Sequence, residues 1–359
     1  MPITNKLSEV FKNTEIDSKG FPQNLLSLLQ ESKSVSNETG WSPIHFYNST
    51  NLLASYIKSH SYGDYIFDWA WADLYTRMGI EYYPKLVHSL PFSPINAAKM
   101  IPCLNEDLIN ESINFYKNAP VNSHHYLFID QEISSSLEKK GYKIQRTIQY
   151  HFKNTFKSFE DYLDSLKARK RKQVRNELKN VSQYEIEFEF VSGEELTNEQ
   201  TLICYNLYLS TIAKKGAIPY LTKDFFENIP KFLGDSFKVL FAKKDGLIIA
   251  MSIFFLNDMT LYGRYWGIDP MFDSMPMLHF YMCYYFGIEY TIENNLEVFE
   301  AGAQGEQKLL RGFYPVEILS AHHLKNDYAR KIIFDHIDQQ NEATLNSIDE
   351  LKSYLPYKL

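Results

Sequence analysis

The feature that most constrains the fold is a set of three apolar segments, separated by two short turns, within residues 238–266. The segments cover 238–242, 247–256 and 260–266, and the turns are Lys-Lys-Asp-Gly at 243–246 and Asn-Asp at 257–258. Apolar runs of strand length joined by short Asp- and Gly-containing turns are typical of antiparallel hairpins. The sequence therefore predicts a three-stranded antiparallel meander in the second half of the chain.

The segments around the meander suggest the same order of elements in both halves. The second half continues with a helix at 277–293, a strand at 296–301, a short helix at 306–312, a strand at 316–324 and helices at 328–338 and 347–355. The first half shows a strand–turn–strand unit at 44–58, a helix at 107–117, a strand at 126–129 and a helix at 134–140. Phe46 and Leu52 stand 195 residues before Phe241 and Leu247, around turns of equal length.

This repetition predicts an α/β (α+β) protein with two tandem domains, 1–155 and 156–359. Each domain is expected to hold a mixed, mostly antiparallel sheet flanked by helices. The order of meander, helix and strand is that of a GNAT-like (acyl-CoA N-acyltransferase-type) domain.

Composition and charge exclude several protein classes. Across 359 residues, 45% hydrophobic and 23% charged residues describe an ordinary globular chain. The cysteines Cys103, Cys204 and Cys283 are too far apart for a disulfide framework or a CxxC motif. A net charge of −7 argues against a general polyanion binder, DNA included. Residues 1–20 lack signal-peptide character, and the longest uncharged run, 274–288, falls short of the ~20 residues that span a bilayer. We expect a cytoplasmic protein without membrane insertion.

A basic segment departs from this acidic background. Residues 167–179 form a predicted helix that holds a single acid, Glu177, among the cations Lys167, Arg169, Lys170, Arg171, Lys172, Arg175 and Lys179. A helix of this charge can follow a phosphate backbone. It has no interleaved aromatic residues, so base stacking is not indicated. Polyanion binding by Arg169, Lys170, Arg171, Lys172 and Arg175 stands beside the alternative of a solvated helix face.

The segment 300–312 (EAGAQGEQKLLRG) is the strongest candidate for chemistry. Glu300 ends a predicted strand, and Gln304, Glu306, Lys308 and Arg311 follow a Gly-containing turn. A carboxylate can take a proton from an attacking amine, and cations can stabilise an oxyanion. We expect Glu300, Glu306 and Lys308 to be catalytic and Gln304 and Arg311 to bind substrate. The alternative is a self-neutralising helix end.

Arg264 is the second candidate. It lies between Tyr262 and Trp266 at period 2 in the last meander strand, so all three side chains are expected on one face. An arginine held between aromatic rings suits a carboxylate or phosphate. We expect all three to bind substrate, with an internal salt bridge to Glu300 as the alternative.

Other chemically reactive residues are less informative. Cys283 lies among tyrosines on a core-like helix, which favours packing. The pairs His124-His125 and His322-His323 lack ligand spacing, so no metal site is expected. His279 lies near the start of the helix after the meander and is a candidate base, with a buried structural role as its alternative.

Several long motifs resemble the bacterial FemAB-like proteins, from about residue 41 to residue 328. They are SYGDYIFDWAWADLY, YYPKLVHSLPFSP, LTKDFF, LYGRYWG, LHFYMCYYFGIEY and FEAGAQGEQKLLRGFYPV. The resemblance implies a tandem GNAT-like fold that moves an acyl or aminoacyl group to an amine, with a link to peptidoglycan biosynthesis. Its donor is acyl-CoA or aminoacyl-tRNA as a co-substrate, with no tightly bound cofactor.

The resemblance leaves one pattern unmatched. Acyl-CoA-dependent GNAT proteins cradle a pyrophosphate in a Gly-rich loop, whereas residues 268–277 (IDPMFDSMPM) contain no glycine and two aspartates. Local negative charge disfavours a pyrophosphate there, which leaves tRNA or another carrier open.

The predicted reaction is direct attack of a small-molecule or peptidyl amine on the activated donor. Asp68, Trp69, Tyr83 and Lys85 of the first half are expected to bind substrate and to line a cleft between the halves. The alternative is a non-catalytic module that binds a cell-wall precursor or tRNA. The oligomeric state is left open.

Overall fold

The computed structural model describes residues 2–66, 68–95, 100–101, 103–303 and 305–358. Two compact units divide the chain. The N-terminal unit contains Met1–Ile148 and Glu317–Ser347, and the C-terminal unit contains Gln149–Val316 and Ile348–Leu359. The predicted boundary after residue 155 lies seven positions from the first crossing, but residues 317–347 belong to the N-terminal unit. The division into domains 1–155 and 156–359 stays a prediction.

The strands follow the predicted pattern in the meander, where turns and alternation are clearest. In chain order, the strands are β1 Ile3–Thr4, β2 Trp41–Pro43, β3 His45–Tyr47, β4 Leu52–Leu53, β5 Tyr56–Lys58, β6 Lys85–His88, β7 Met100–Ile101, β8 Ser123–Ile129, β9 Lys143–Lys153, β10 Glu187–Ser192, β11 Phe237–Lys244, β12 Leu247–Asn257, β13 Thr260–Ile268, β14 Val298–Glu300 and β15 Tyr314–Leu324.

The helices include one stretch of unusual geometry. The α-helices are α1 Leu7–Asn13, α2 Gln23–Glu31, α3 Trp69–Arg77, α4 Glu106–Asn118, α5 Gln131–Lys139, α6 Phe159–Ser165, α7 Ala168–Ser182, α8 Asn198–Lys214, α9 Lys223–Glu227, α10 Ile229–Phe232, α11 Leu278–Phe280, α12 Phe286–Glu293 and α13 Asp327–Ser353. A π-helical segment, Tyr281–Tyr285, joins α11 to α12 where one regular helix was predicted. Short 3₁₀ helices lie at Gly193–Glu195, Gly234–Ser236, Pro270–Phe272 and Glu306–Arg311.

The main sheet of the N-terminal unit has the strand order β15-β8-β6-β5-β2. β2, β5 and β6 are antiparallel neighbours, whereas β6 and β8 run parallel, with α4 in the connection between them. A second sheet, β1-β3-β4-β7, holds Phe46 and Leu52. The proposed equivalence of these residues with Phe241 and Leu247 is therefore wrong, because the latter pair lies in the main sheet of the C-terminal unit.

The C-terminal unit repeats the same pairing pattern with the order β10-β11-β12-β13-β14-β9. β11, β12 and β13 form the predicted antiparallel meander, and β14 runs parallel to β13 after the helical stretch 278–293. Phe299 of β14 belongs to an aromatic core that also includes Phe152 and Phe313.

One predicted pair of helices is a single helix. α13 runs for 27 residues from Asp327 to Ser353, where helices at 328–338 and 347–355 were predicted. The intervening residues 339–346 (QQNEATLN) contain no glycine or proline, so nothing in them interrupts a helix. In the described ranges, no helix is long and apolar enough to cross a membrane.

Candidate active site

The parallel pairing of β13 and β14 ends at Tyr262 and Glu300. Only three residue pairs join these strands, and Glu300 is the last residue of β14. On its other side, β14 pairs with β9 so that Glu300 lies opposite His151. The carboxylate of Glu300 is therefore held between two strands, at the point where its own strand ends.

A bulge follows directly in β13. β12 pairs Phe254 with Gly263 and Ile253 with Tyr265, so Arg264 is the extra residue between these two pairs. A bulge of this kind bends the strand and re-aims a side chain, and it is common beside active sites.

The bulge corrects one prediction about the faces of the sheet. Tyr262 pairs with Phe255, and Trp266 pairs with Ser252, three positions away on β12. Because successive strand residues alternate between faces, Tyr262 and Trp266 lie on opposite faces. The prediction that both rings share one face with Arg264 is therefore wrong.

Glu300 occupies a largely buried position. Its side chain is 9% exposed, and its Oε1 lies 3.8 Å from Nδ1 of His151. Burial, followed by the charges of Lys308, Lys153 and Arg264, lowers the pKa of His151 to about 3. At neutral pH the imidazole is therefore uncharged, and His151 is a neutral neighbour of the carboxylate.

Lys308 brings a buried amine to the same region. It is 1% exposed and donates from Nζ to the carbonyl oxygen of Gly302 at 2.5 Å. Gly302 has a φ of 83°, a left-handed conformation that glycine adopts without a Cβ clash. Burial, followed by the charge of Arg264, lowers the pKa of Lys308 to about 7, while Glu300 acts in the opposite direction. The amine therefore exchanges a proton near neutral pH.

Arg311 makes internal contacts within the C-terminal unit, and its role in substrate binding stays a prediction. Although it is three residues after Lys308, its guanidinium lies 2.8 Å from Oε2 of Glu177 on α7 and 4.0 Å from the ring centre of Phe280. The hydroxyl of Tyr162 donates to its carbonyl oxygen at 3.0 Å. Arg311 is 3% exposed and anchors the 3₁₀ helix Glu306–Arg311.

The loop at 268–277 already uses several of its amide donors. The N–H of Met271 donates to the side chain of Asp269, and the N–H of Phe272 donates to its carbonyl oxygen, both at 2.9 Å. The amides of Asp273 and Met275 donate to carbonyl oxygens within the same loop. These four N–H groups are therefore engaged before any ligand arrives.

In the N-terminal unit, residues of the motif SYGDYIFDWAWAD form a buried ion network with two lysines. Lys85 Nζ lies 2.8 Å from Asp64 Oδ2, 2.6 Å from Asp68 Oδ2 and 2.8 Å from Ser61 Oγ. Lys58 Nζ lies 3.1 Å from the same oxygen of Asp64, and all four charged side chains have no exposed surface. Burial acts to lower the pKa of Lys85, yet the two carboxylates raise it above its ordinary value.

Aromatic side chains of this region reach the surface. Trp69 is 45% exposed and lies 5.1 Å from the ring of Tyr62, which is also exposed. Tyr83 is half-buried, and its hydroxyl lies 2.8 Å from Ser61 Oγ. The buried network thus holds a loop whose outer side carries aromatic rings.

The family described as peptidoglycan biosynthesis/recognition, FemAB_like, matches residues 11–359. The chain belongs to the FemAB-like family. The predicted resemblance is confirmed over a longer range than the motifs covered. No curated protein matches the sequence of this FemAB-like chain.

Solved structures resemble this FemAB-like chain in fold. The C-terminal domain (DUF2156) of a protein assigned as a lysylphosphatidylglycerol synthetase, from Agrobacterium fabrum, has a TM-score of 0.56 and 11% identity, over 88% of this chain and 90% of that one. L-PGS from Bacillus licheniformis has a TM-score of 0.55 and 11% identity, over 91% and 99%. FemX has a TM-score of 0.55 and 12% identity, over 93% and 100%. The predicted mixed α/β fold with mostly antiparallel sheets is confirmed.

The FemAB-like structure brings together some of the predicted site residues and separates others. Glu300 and Arg264 lie close to both Lys308 and Tyr262, because their charges act on the pKa of each of these two groups. Glu306 is exposed at the start of its 3₁₀ helix. His279 is exposed, with its ring 5.2 Å from that of Trp266. Gln304 lies outside the described residues.

The basic helix is confirmed as α7, and its cations differ in their surroundings. Arg171 pairs with Asp164 at 2.7 Å, and Arg175 pairs with Glu160. Arg169 and Lys172 are exposed, and Lys170 is half-buried.

Sequence reasoning missed several residues of this FemAB-like chain. His151, Lys58 and Asp64 were not selected, because their partners lie on other strands or loops. Glu177 carried a usable signal as the single acid in a basic run. In the described part of the chain, no group of three or more His, Cys, Asp or Glu residues could hold a metal ion.

Proposed function

We propose that this protein transfers an aminoacyl group from an activated ester donor to an amine, with a peptidoglycan precursor as the class of acceptor. The observation that carries the proposal is the meeting of a carboxylate and two cations where the parallel strands β13 and β14 end. Membership of the FemAB-like family supports the link to peptidoglycan.

The carboxylate of Glu300 supplies the base. An alkyl ammonium has a pKa near 10 and must lose a proton before it can attack a carbonyl carbon. Glu300 is largely buried and lies at the end of its strand beside the neutral His151. It accepts the proton as the nitrogen forms its bond to the carbonyl carbon.

Arg264 and Lys308 supply the positive charge that the reaction needs. Attack of the amine places negative charge on the former carbonyl oxygen, and fixed donors in a water-poor site stabilise it. The guanidinium remains charged at all relevant pH values. When the tetrahedral intermediate collapses, the ester bond breaks and the leaving oxygen takes up the proton that Glu300 accepted. The second proton that the ammonium loses passes to water, so a neutral amide remains.

The loop at 268–277 favours aminoacyl-tRNA over acyl-CoA as the donor. A pyrophosphate cradle needs free amide N–H groups, yet Met271, Phe272, Asp273 and Met275 already donate within the loop. Exposed cations on α7 provide an alternative contact for a polyanionic carrier.

In the N-terminal unit, we assign the surface rings of Trp69 and Tyr83 to acceptor binding. Asp68 and Lys85 have no exposed side-chain surface, so they support this loop from beneath instead of meeting a ligand directly.

A transfer assay tests this function. The full-length protein is incubated with tRNA charged with radioactive amino acids, or in parallel with radioactive acetyl-CoA, and with soluble nucleotide-linked peptidoglycan precursors. We expect label to move from tRNA to the precursor amine. Label arriving only from acetyl-CoA would overturn the donor assignment. Precursor binding without transfer from either donor would instead identify a recognition module.

A further inference from the structure

Glu177 is the buried acid of an otherwise basic helix. α7 presents Val174, Glu177 and Val181 to the interior of the C-terminal unit, while Arg169, Lys172 and Lys179 are exposed on its outside. A buried carboxylate is costly unless it is well paired. The partners of Glu177 therefore indicate what this helix is held against.

Three donors from different parts of the unit converge on this carboxylate. Arg311 donates to Oε2 at 2.8 Å, and the hydroxyl of Tyr285 in the π-helical segment donates to the same oxygen. Gln173, one turn earlier on α7, donates to Oε1 at 2.8 Å. Glu177 thus joins the basic helix to the π-helical segment and to the 3₁₀ helix Glu306–Arg311.

The 3₁₀ helix transmits this connection to Lys308. The guanidinium of Arg311 also donates to the carbonyl oxygen of Gln307 at 3.0 Å. This hydrogen bond spans the turn that contains the next residue after Gln307. That residue is Lys308, whose N–H donates to Gly305 and whose amine donates to Gly302. A displacement of Arg311 would move a helix of only six residues, so Lys308 would follow.

We propose that Glu177 is a positioning residue that couples polyanion binding on the outer face of α7 to the position of Lys308. The inference rests on the proposed function, since it assigns a polyanionic donor to α7 and a reacting role to Lys308. Through Glu177 and Arg311, occupancy of the exposed cations changes the placement of the amine at Gly302.

The test follows Lys308 by NMR in the full-length protein labelled with [¹³Cε]lysine, with the resonance assigned by its loss in Lys308→Arg. The probe is unfractionated deacylated tRNA. In the wild-type protein, tRNA is expected to shift the Lys308 resonance. In Glu177→Gln, tRNA is expected to bind within about threefold of wild-type affinity, because the exposed cations are unchanged, while the Lys308 shift is lost.

Glu160→Gln is the matched control. It also removes one carboxylate that pairs with a cation of α7, but on the exposed side of the helix at Arg175. It changes the net charge by the same amount and is expected to keep the wild-type Lys308 response. Glu177→Asp, which retains the charge, is expected to restore part of the response lost in Glu177→Gln.

The outcomes separate this inference from the proposed function. An unchanged Lys308 response in Glu177→Gln overturns the coupling, even if the transfer assay succeeds. If the Lys308 response is lost in Glu177→Gln and the wild-type protein transfers no label, only the proposed function is overturned. If Glu177→Gln does not fold, Tyr285→Phe removes one donor to the carboxylate without a change of charge. A partial loss of the response is then expected, and a full wild-type response contradicts the proposal.

Discussion

Glu300 lies directly opposite Tyr262 across the parallel strands β13 and β14, and no later residue of β14 continues the pairing. Burial, followed by the negative charge of Glu300, raises the pKa of Tyr262 to about 12, so its hydroxyl keeps its proton at neutral pH. The carboxylate therefore has a neutral phenol on one side and the neutral imidazole of His151 on the other. At neutral pH, Glu300 thus lies between two uncharged side chains.

The first prediction concerns Glu300 as the base. Glu300→Gln keeps the shape of the side chain and removes its ability to take a proton, so turnover should fall by roughly 10²-fold or more. Glu297→Gln, an exposed change three residues earlier, should retain wild-type turnover. Thermal unfolding measured beside the transfer assay distinguishes the two roles. Lost stability with normal turnover per folded molecule would make Glu300 structural.

The second prediction concerns Lys308 as a donor to the developing oxyanion. Lys308→Ala removes the amine that lies at Gly302 and should lower kcat by roughly 10²-fold or more. Lys325→Ala, at an exposed lysine of the N-terminal unit, is the control. A change in KM alone, with kcat retained, would assign Lys308 to substrate binding.

The third prediction uses the proton equilibrium of Lys308. Its pKa is about 7 in the folded protein and about 10.5 when unfolded, so the unfolded chain holds more protons between these values. The free energy of unfolding therefore gains a contribution that rises with pH across this window, by up to about 1.4 kcal/mol per pH unit. Below pH 7 the amine is protonated in both states, and this contribution no longer varies.

Lys308→Met removes this contribution. Urea denaturation at pH 6, 8 and 10 measures the free energy of unfolding of Lys308→Met and of wild type. The value for Lys308→Met minus the value for wild type should be greatest at pH 6 and should fall as the pH rises. A difference independent of pH would mean that the folded amine titrates at its ordinary value.

The fourth prediction concerns the buried network of the N-terminal unit. Lys85→Met leaves Asp64 and Asp68 buried without their shared cation, so the protein should lose about 3–5 kcal/mol of stability. Lys6→Met removes the cation of an exposed pair with Glu9 and should change stability by less than about 0.5 kcal/mol. Chemical denaturation measures both. Similar small effects would contradict the view that the network holds this loop.

The fifth prediction concerns the outer face of α7. Replacing Arg169, Lys170, Arg171 and Lys172 by glutamate should abolish tRNA binding. Arg171 and Arg175 already pair with Asp164 and Glu160, so the cations expected to meet phosphates are Arg169, Lys170, Lys172 and Lys179. Four contacts predict a slope of about −3 in log K against log salt, at roughly −0.7 per contact for single strands. Filter binding at several salt concentrations measures it, and a slope near zero would remove α7 from donor binding.

Local patterns in the sequence were sufficient for the meander and the basic helix. Strands β11, β12 and β13 and helix α7 lie within a few residues of their predicted bounds. Their alternation, turns and helical spacing depend on neighbours a few positions away. The segment 300–312 was likewise recognisable, because its charged residues follow a strand end and a glycine-containing turn.

The sequence by itself thus determined the family, the meander, the basic helix and the segment where charged groups collect. Only the tertiary structure decided how those groups are used. The bulge at Arg264 depends on pairing with β12, the burial of Lys308 depends on Gly302 and its surroundings, and Arg311 pairs with Glu177, which lies 134 residues away. Such contacts arise from packing between elements distant in sequence, and no local periodicity encodes them.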